Sequence, residues 1–468
     1  MTKTQFRHDL HRGLGSCPLE LERCADVEDY REDLLWGLEH ALAYDAQCEG
    51  TRAIYYYDML SLFDDWTDFH ALIAAGAKRN LKDRGWRFFH FAELLALMAG
   101  DAYAPARETL EELYALLLGA IRRGRPSRTG IWPAMDNFSR VCVSLLTNAL
   151  QIQAEREAFY LRVLADYGRI LARKPDLGGH AEDEWFDSVA EDTLGADRVR
   201  ELLQEAGSDP DIARYLENRR RLQSSREAYQ AQARQQAEAE SAQSIYRKLR
   251  DGAVPGKDLP LFLLRRMEQQ GLEEVSRLAR LYAAEEKEDL RHAILRLFRT
   301  EVCISVFDDA GISRLLRDAD SENRALREEA LRVLPELRAP QVRDYALSRL
   351  ERRRKDVDAL YMLLTNFRPG DGERLIPLVK AVSLDENRGA WHGVFSVVRE
   401  LIHRDPAADR ELSAALLPYM LREGYCSCCR LYLLELMEPR GLLTPELREA
   451  CRRDCYLEIR KFVEKLVP

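Results

Sequence analysis

At 468 residues the chain is too long for one ordinary hydrophobic core, so it must divide into domains or grow as a stack. Its 46% apolar and 32% charged residues, with only 25 Gly and 17 Pro, favour a folded, helix-rich protein with short connections. The formal charge of −9, from 79 acidic and 70 basic groups, excludes the global basic excess of a dedicated nucleic-acid binder but leaves room for local basic patches.

The opening stretch MTKTQFRHDLHRGLGSC lacks the continuous apolar core of a signal peptide. No apolar run approaches the about 18–20 residues needed to cross a bilayer, so no membrane association is expected. The expected compartment is the cytoplasm, where the ten cysteines should stay reduced.

From Asp26 to about Arg173 helix follows helix. DYREDLLWGLEHALAYDA sets Leu34, Leu35, Leu38, Ala41 and Leu42 at the spacing of a buried stripe. Aromatic-rich segments follow, with Tyr55-Tyr56-Tyr57 and WRFFHF (86–91) read as core packing. Pro105 sits near the first turn of the next helix. The stretch 138–174 predicts one long helix or a helical pair. Breaks fall at Gly50, Gly76, Gly85, Gly100 and RRGRPSRTG (122–130). Residues 218–252 permit a helix but have almost no large apolar side chains, which predicts a solvated bridge. The expected domains are therefore an N-terminal helical domain (1–215), a polar helical bridge (216–254) and a C-terminal domain (255–468).

Core helices recur in that last part: LRHAILRLF (290–298), LREEALRVL (326–334), VDALYMLLTNF (357–367), WHGVFSVVREL (391–401) and CRLYLLELM (429–437). Matching small residues at their centres gives spacings of 330 − 293 = 37, 359 − 330 = 29 and 393 − 359 = 34 residues. Partner helices lie between them at 312–319, 342–353, 374–382 and 410–424. Two helices per unit of this length predict a repeat array in which each pair is covered only by the next.

The unit DADSENRALREEALRVLPELRAPQVRDYALSRLER resembles a HEAT repeat. An acidic turn (Asp318, Asp320) leads to Arg324 or Arg327, then to Ala330-Leu331 and Leu334, the turn RAPQ (338–341) and a second helix. The match is best over 312–353 and weaker over 255–468, with NFRPGDGERLIP departing from the usual turn. The resemblance implies an all-α fold, an α-solenoid of HEAT-like repeats following an N-terminal domain of antiparallel helical pairs. It implies a curved surface for a protein partner, with Arg324 and Arg327 on its concave face, and it implies no chemistry of its own.

Candidate chemistry is sparse. Cys426, Cys428, Cys429, Cys451 and Cys455 are metal candidates by density, but their spacing is not a usual zinc pattern, and core packing is the favoured reading. No cofactor is expected. Asp64, Asp65 and Asp68 around Trp66, and the pair in VFDDAG (306–311), are read as helix caps. The basic clusters are 121–132, 218–226 and ERRRKD (351–356). In the first, Arg122, Arg123, Arg125 and Arg128 with Trp132 form a candidate phosphate- and base-contacting loop; the last fits a solvated helix end. His90 and His392 lie on aromatic faces and are read as hydrogen-bonded core histidines. No phosphate-binding glycine loop, dinucleotide fingerprint or nucleophile elbow is present. The sequence thus points to a non-enzymatic scaffold or adaptor binding a protein partner, the alternative being a nucleic-acid-binding accessory of DNA repair or defence.

Overall fold

A computed structural model of the chain describes residues 1–82, 86–124, 131–174, 181–238, 241–252, 271–353, 355–382 and 388–466. Every described element is helical, and the protein is all-α. No described helix is long and apolar enough to cross a membrane. The chain forms two compact units: Met1–Ser224 with Gly424–Leu431 and Leu443–Pro468, and Ser225–Glu423 with Tyr432–Leu442.

The first unit is wound around Trp86–Gly100, which packs against Ala53–Leu60, Thr67–Arg79, Ala104–Arg123 and Ile131–Ser144. That role follows from composition: Phe88, Phe91, Leu94, Leu95 and Met98 are all buried, and a helix apolar on most sides must be surrounded. The 138–174 stretch is a helical pair, Ile131–Ser144 and Gln153–Arg173, joined through a π-helical turn at Leu145–Ala149. Asp65 holds Thr67 through the backbone N–H and the hydroxyl, the junction role expected of it. His90 is buried as expected, but neither ring nitrogen has a hydrogen-bond partner among the described residues.

The range expected as one C-terminal domain does not end in one body, since its last segments cluster with residues 1–224. The reason is polar. Arg430 donates to the Arg12 carbonyl at 2.8 Å, and the Cys455 N–H donates to the Gly13 carbonyl at 3.0 Å. Helices cannot satisfy their own terminal groups, and here the C-terminal segment satisfies those of Lys3–Arg12.

In the second unit, successive helices alternate between two layers. One layer runs Ala242–Arg250, Glu288–Leu295, Arg324–Val333, Val357–Thr365 and Arg388–Arg404. The other holds Glu273–Ala284, Asp309–Asp318 and Pro340–Arg352 in series, then Gly372–Lys380 against Pro406–Glu423. Side-chain caps open three of these helices: Asp308 on Gly311 N–H, Asn323 on Ala325 and Leu326 N–H, Asp356 on Ala359 N–H. Leu326, Ala330 and Val333 are fully buried. Each large aliphatic side chain so buried contributes about 1.5–3 kcal/mol. One arginine contact recurs along the unit. Arg291 donates to the carbonyls of Glu285 and Glu286, and Arg327 donates to those of Ser321 and Glu322, a shift of 327 − 291 = 36 residues.

Candidate functional site

Because the helices alternate in direction, the second unit has two edges of turns. The turns at 319–323 and 353–356 share one edge, and a cleft of about 600 Å³ opens between them. Arg327, Arg349, Arg352 and Arg353 line it, opposed by Asp320, Glu322, Asp356 and Asp358.

Part of this charge is consumed internally. Arg349 donates twice to Asp356 Oδ2, at 2.9 and 2.7 Å, and once to the Tyr345 hydroxyl at 3.1 Å. Tyr345 in turn donates its own hydroxyl proton to Asp320 Oδ1 at 2.8 Å. Burial pushes the Tyr345 hydroxyl up; Asp320 adds to this and Arg349 opposes it. Asp358 is half-buried, and burial, reinforced by neighbouring Asp356, raises its carboxyl above the usual range.

The remaining cations are open. Arg327 is half-buried and, among the described residues, hydrogen-bonds the Ser321 and Glu322 carbonyls at 2.6 and 3.4 Å. Among the described residues Arg352 hydrogen-bonds Ser348, through its carbonyl and hydroxyl. Arg353 is exposed, and among the described residues it has no carboxylate in reach. The repeat equivalence shows what is missing. Arg291 makes the same carbonyl bonds as Arg327, and its guanidinium is closed by Asp318 at 2.8 and 2.9 Å, with Tyr282 donating to the same carboxylate at 2.7 Å. Arg327 has no such carboxylate among the described residues, so its fork faces the cleft.

Of the residues expected from sequence, Arg327 lines the cleft and Arg324 does not. Arg324 is 82% exposed and paired with Glu328 at 2.7 Å on its own helix. Arg122 is not an open loop cation: it pairs with the buried Asp166 at 3.2 Å, a carboxylate that also takes Tyr114 and Arg169. Arg123 is exposed. Arg125 and Arg128 lie outside the described residues, as does the side chain of Trp132. Cys426, Cys451 and Cys455 are buried, and Cys428 and Cys429 are half-buried. Burial pushes the Cys451 thiol up to about 12 and the Cys428 thiol up to about 11. Sequence reasoning passed over Arg349, Arg352 and Arg353 as a solvated helix end. The available signal was the i, i+3, i+4 spacing of these arginines beside a capping Asp, which puts three guanidinium groups on one turn.

No family model matches the chain, and no curated protein does. Among solved structures, a chain described as "Homology model of the full-length AP-3 complex in an intermediate open conformation" aligns over 99% of this chain and 80% of its own. Its identity is 12% and its TM-score 0.21, an alignment too weak to support any inference about this chain.

Proposed function

We propose that the chain is a non-enzymatic, HEAT-like helical scaffold of the cytoplasm that docks a protein partner at the Arg327–Arg353 cleft. The HEAT-like reading is supported by the two-layer alternation of helix pairs and by the 36-residue recurrence of an arginine on the carbonyls of the preceding turn. The partner-binding reading is carried by one observation. The guanidinium that Asp318 closes in one repeat stands open at Arg327 in the next, inside a cleft that also presents Arg352 and Arg353. An Asp or Glu side chain of a partner segment supplies the group Asp318 supplies internally, as a charge-assisted, two-pronged bond. The interspersed Glu322 and Asp358 select against a uniformly acidic segment and favour one that alternates charge.

The test is a paired affinity purification from the native cell with wild type and the Arg327→Glu/Arg353→Glu variant. A stoichiometric protein captured by wild type and lost by the variant supports the reading. A protein captured equally by both moves the docking surface elsewhere. Co-purifying nucleic acid that nuclease removes, with no protein, replaces the reading with the nucleic-acid alternative.

A further inference from the structure

The opposite edge of the second unit carries a different site. The turns at 337–339 and 366–371, with the helix end at Arg404–Asp405, enclose a hollow of about 390 Å³. Its frame is rigid. Asn366 accepts the Ala339 N–H at 2.8 Å and donates to the carbonyls of Leu337 and Met362, both at 2.9 Å, so one side chain ties the two turns together. Beneath them Arg343 and Asp371 form a buried, two-pronged pair at 2.7 and 2.8 Å. Half-buried Phe367 and buried Leu401 complete the walls.

The rim is basic. Arg338 and Arg368 are exposed, and neither has a carboxylate in reach among the described residues. Arg404 makes a single contact with Glu400 at 3.3 Å, leaving most of its fork free. The one acidic side chain in the lining, Asp405, is committed to capping the Ala407 and Ala408 N–H groups. Three guanidinium groups from three separate turns thus line one hollow, and among the described residues only Arg404 has a carboxylate, Glu400, in contact.

In two buried pairs of the same unit one carboxylate takes one arginine, Arg291–Asp318 and Arg343–Asp371. A single carboxylate satisfies one such fork and leaves two unmatched. A phosphate monoester carries up to two negative charges and three terminal oxygens, which matches three forks. We propose that this hollow is a phosphate-monoester site, with Arg338, Arg368 and Arg404 as its ligands. The inference stands apart from the cleft at the other edge and does not depend on it.

The probe is inorganic phosphate, titrated calorimetrically into the full chain at low ionic strength, followed by a phosphoserine peptide and its unphosphorylated form. Wild type is expected to bind phosphate, and Arg338→Ala/Arg368→Ala to bind at least about tenfold more weakly, since each charged hydrogen bond is worth more than the 1.4 kcal/mol per decade. Arg338→Lys/Arg368→Lys should retain part of the affinity, and Arg277→Ala, at an exposed arginine outside the hollow, all of it. Circular dichroism and the melting temperature check that each variant is folded. Tighter binding of the phosphopeptide than of inorganic phosphate assigns the source to a phosphorylated protein; equal binding assigns it to a small metabolite. No heat with millimolar phosphate, or equal affinity in the double-alanine variant, overturns the proposal.

Discussion

Arg430 and Asp454 form a fully buried ion pair, 2.9 Å apart and bonded through both carboxylate oxygens. The same guanidinium also reaches the carbonyls of Arg12 and Gly424, at 2.8 and 3.1 Å. Burial works against the charge, but Asp454 and the neighbouring Cys455 hold Arg430 protonated. One residue thus joins three separate stretches of the first unit.

Removing one partner of a buried pair strands the other charge, which costs about 3–5 kcal/mol. Arg430→Met should therefore lower the unfolding free energy by that amount in urea denaturation. Arg430→Met/Asp454→Leu should recover a large part, because it leaves no orphaned charge. Equal losses in the single and double variants would show that the carbonyl bonds, and not the ion pair, hold the segment.

Gly15 has the same segment on its α-carbon. A Cβ there would stand 1.7 Å from the Ala450 carbonyl oxygen and 2.8 Å from the Arg453 carbonyl carbon, both backbone atoms that cannot swing aside. Gly15→Ala should cost about 1–3 kcal/mol or more by overpacking. At Gly207 an added methyl would meet nothing within 4 Å, so Gly207→Ala should be neutral or slightly stabilising through the unfolded chain. Thermal melts of the two variants side by side give the comparison.

His90 sets a pH dependence. It is 2% exposed, with the ring centres of Tyr56 and Phe91 at 5.5 and 5.6 Å, and burial, helped by Arg52 and Arg87, lowers its pKa to about 3. The unfolded imidazole titrates near 6.5. Between those values the unfolded state holds more protons, so the stability His90 permits is present above pH 6.5 and is lost as pH falls toward 3. The loss is about 1.4 kcal/mol per pH unit. His90→Phe should abolish that slope and stabilise the protein at neutral pH, since two unbonded ring nitrogens leave the core. Parallel urea titrations at several pH values between 7 and about 4 read the difference; parallel slopes for wild type and variant would place the titration elsewhere.

Local periodicity was enough to read the helices. Leu34, Leu38 and Ala41 are buried as their spacing predicts, while Leu35 and Leu42, at the margins of the stripe, are half-buried. The alternation of paired helices in the second unit was equally legible, because the apolar positions of each pair repeat. Partnerships across long separations were not. Nothing in the 121–132 cluster tells that Arg122 meets Asp166, 44 residues on, or that Arg430 returns to Arg12. The cleft was half visible for a related reason. Aligning the repeats on alanines gave a spacing of 37, one residue off the 36 that the arginines keep, and so hid the equivalence of Arg291 and Arg327.

That equivalence gives the sharpest contrast. Arg291 and Arg327 occupy the same position in adjacent repeats and bond the same turn carbonyls, yet only Arg291 has a buried carboxylate, Asp318. Arg291→Ala removes the countercharge of a carboxylate left with one Tyr282 hydroxyl, and should cost about 3–5 kcal/mol. Arg327→Ala strands no buried charge and should cost about 1 kcal/mol or less. If Arg327 instead stabilises the folded chain as strongly as Arg291, its fork is closed from within, and the cleft is a structural joint. If it costs little while abolishing partner capture, the same side chain has been moved from holding the array together to reading what docks on it.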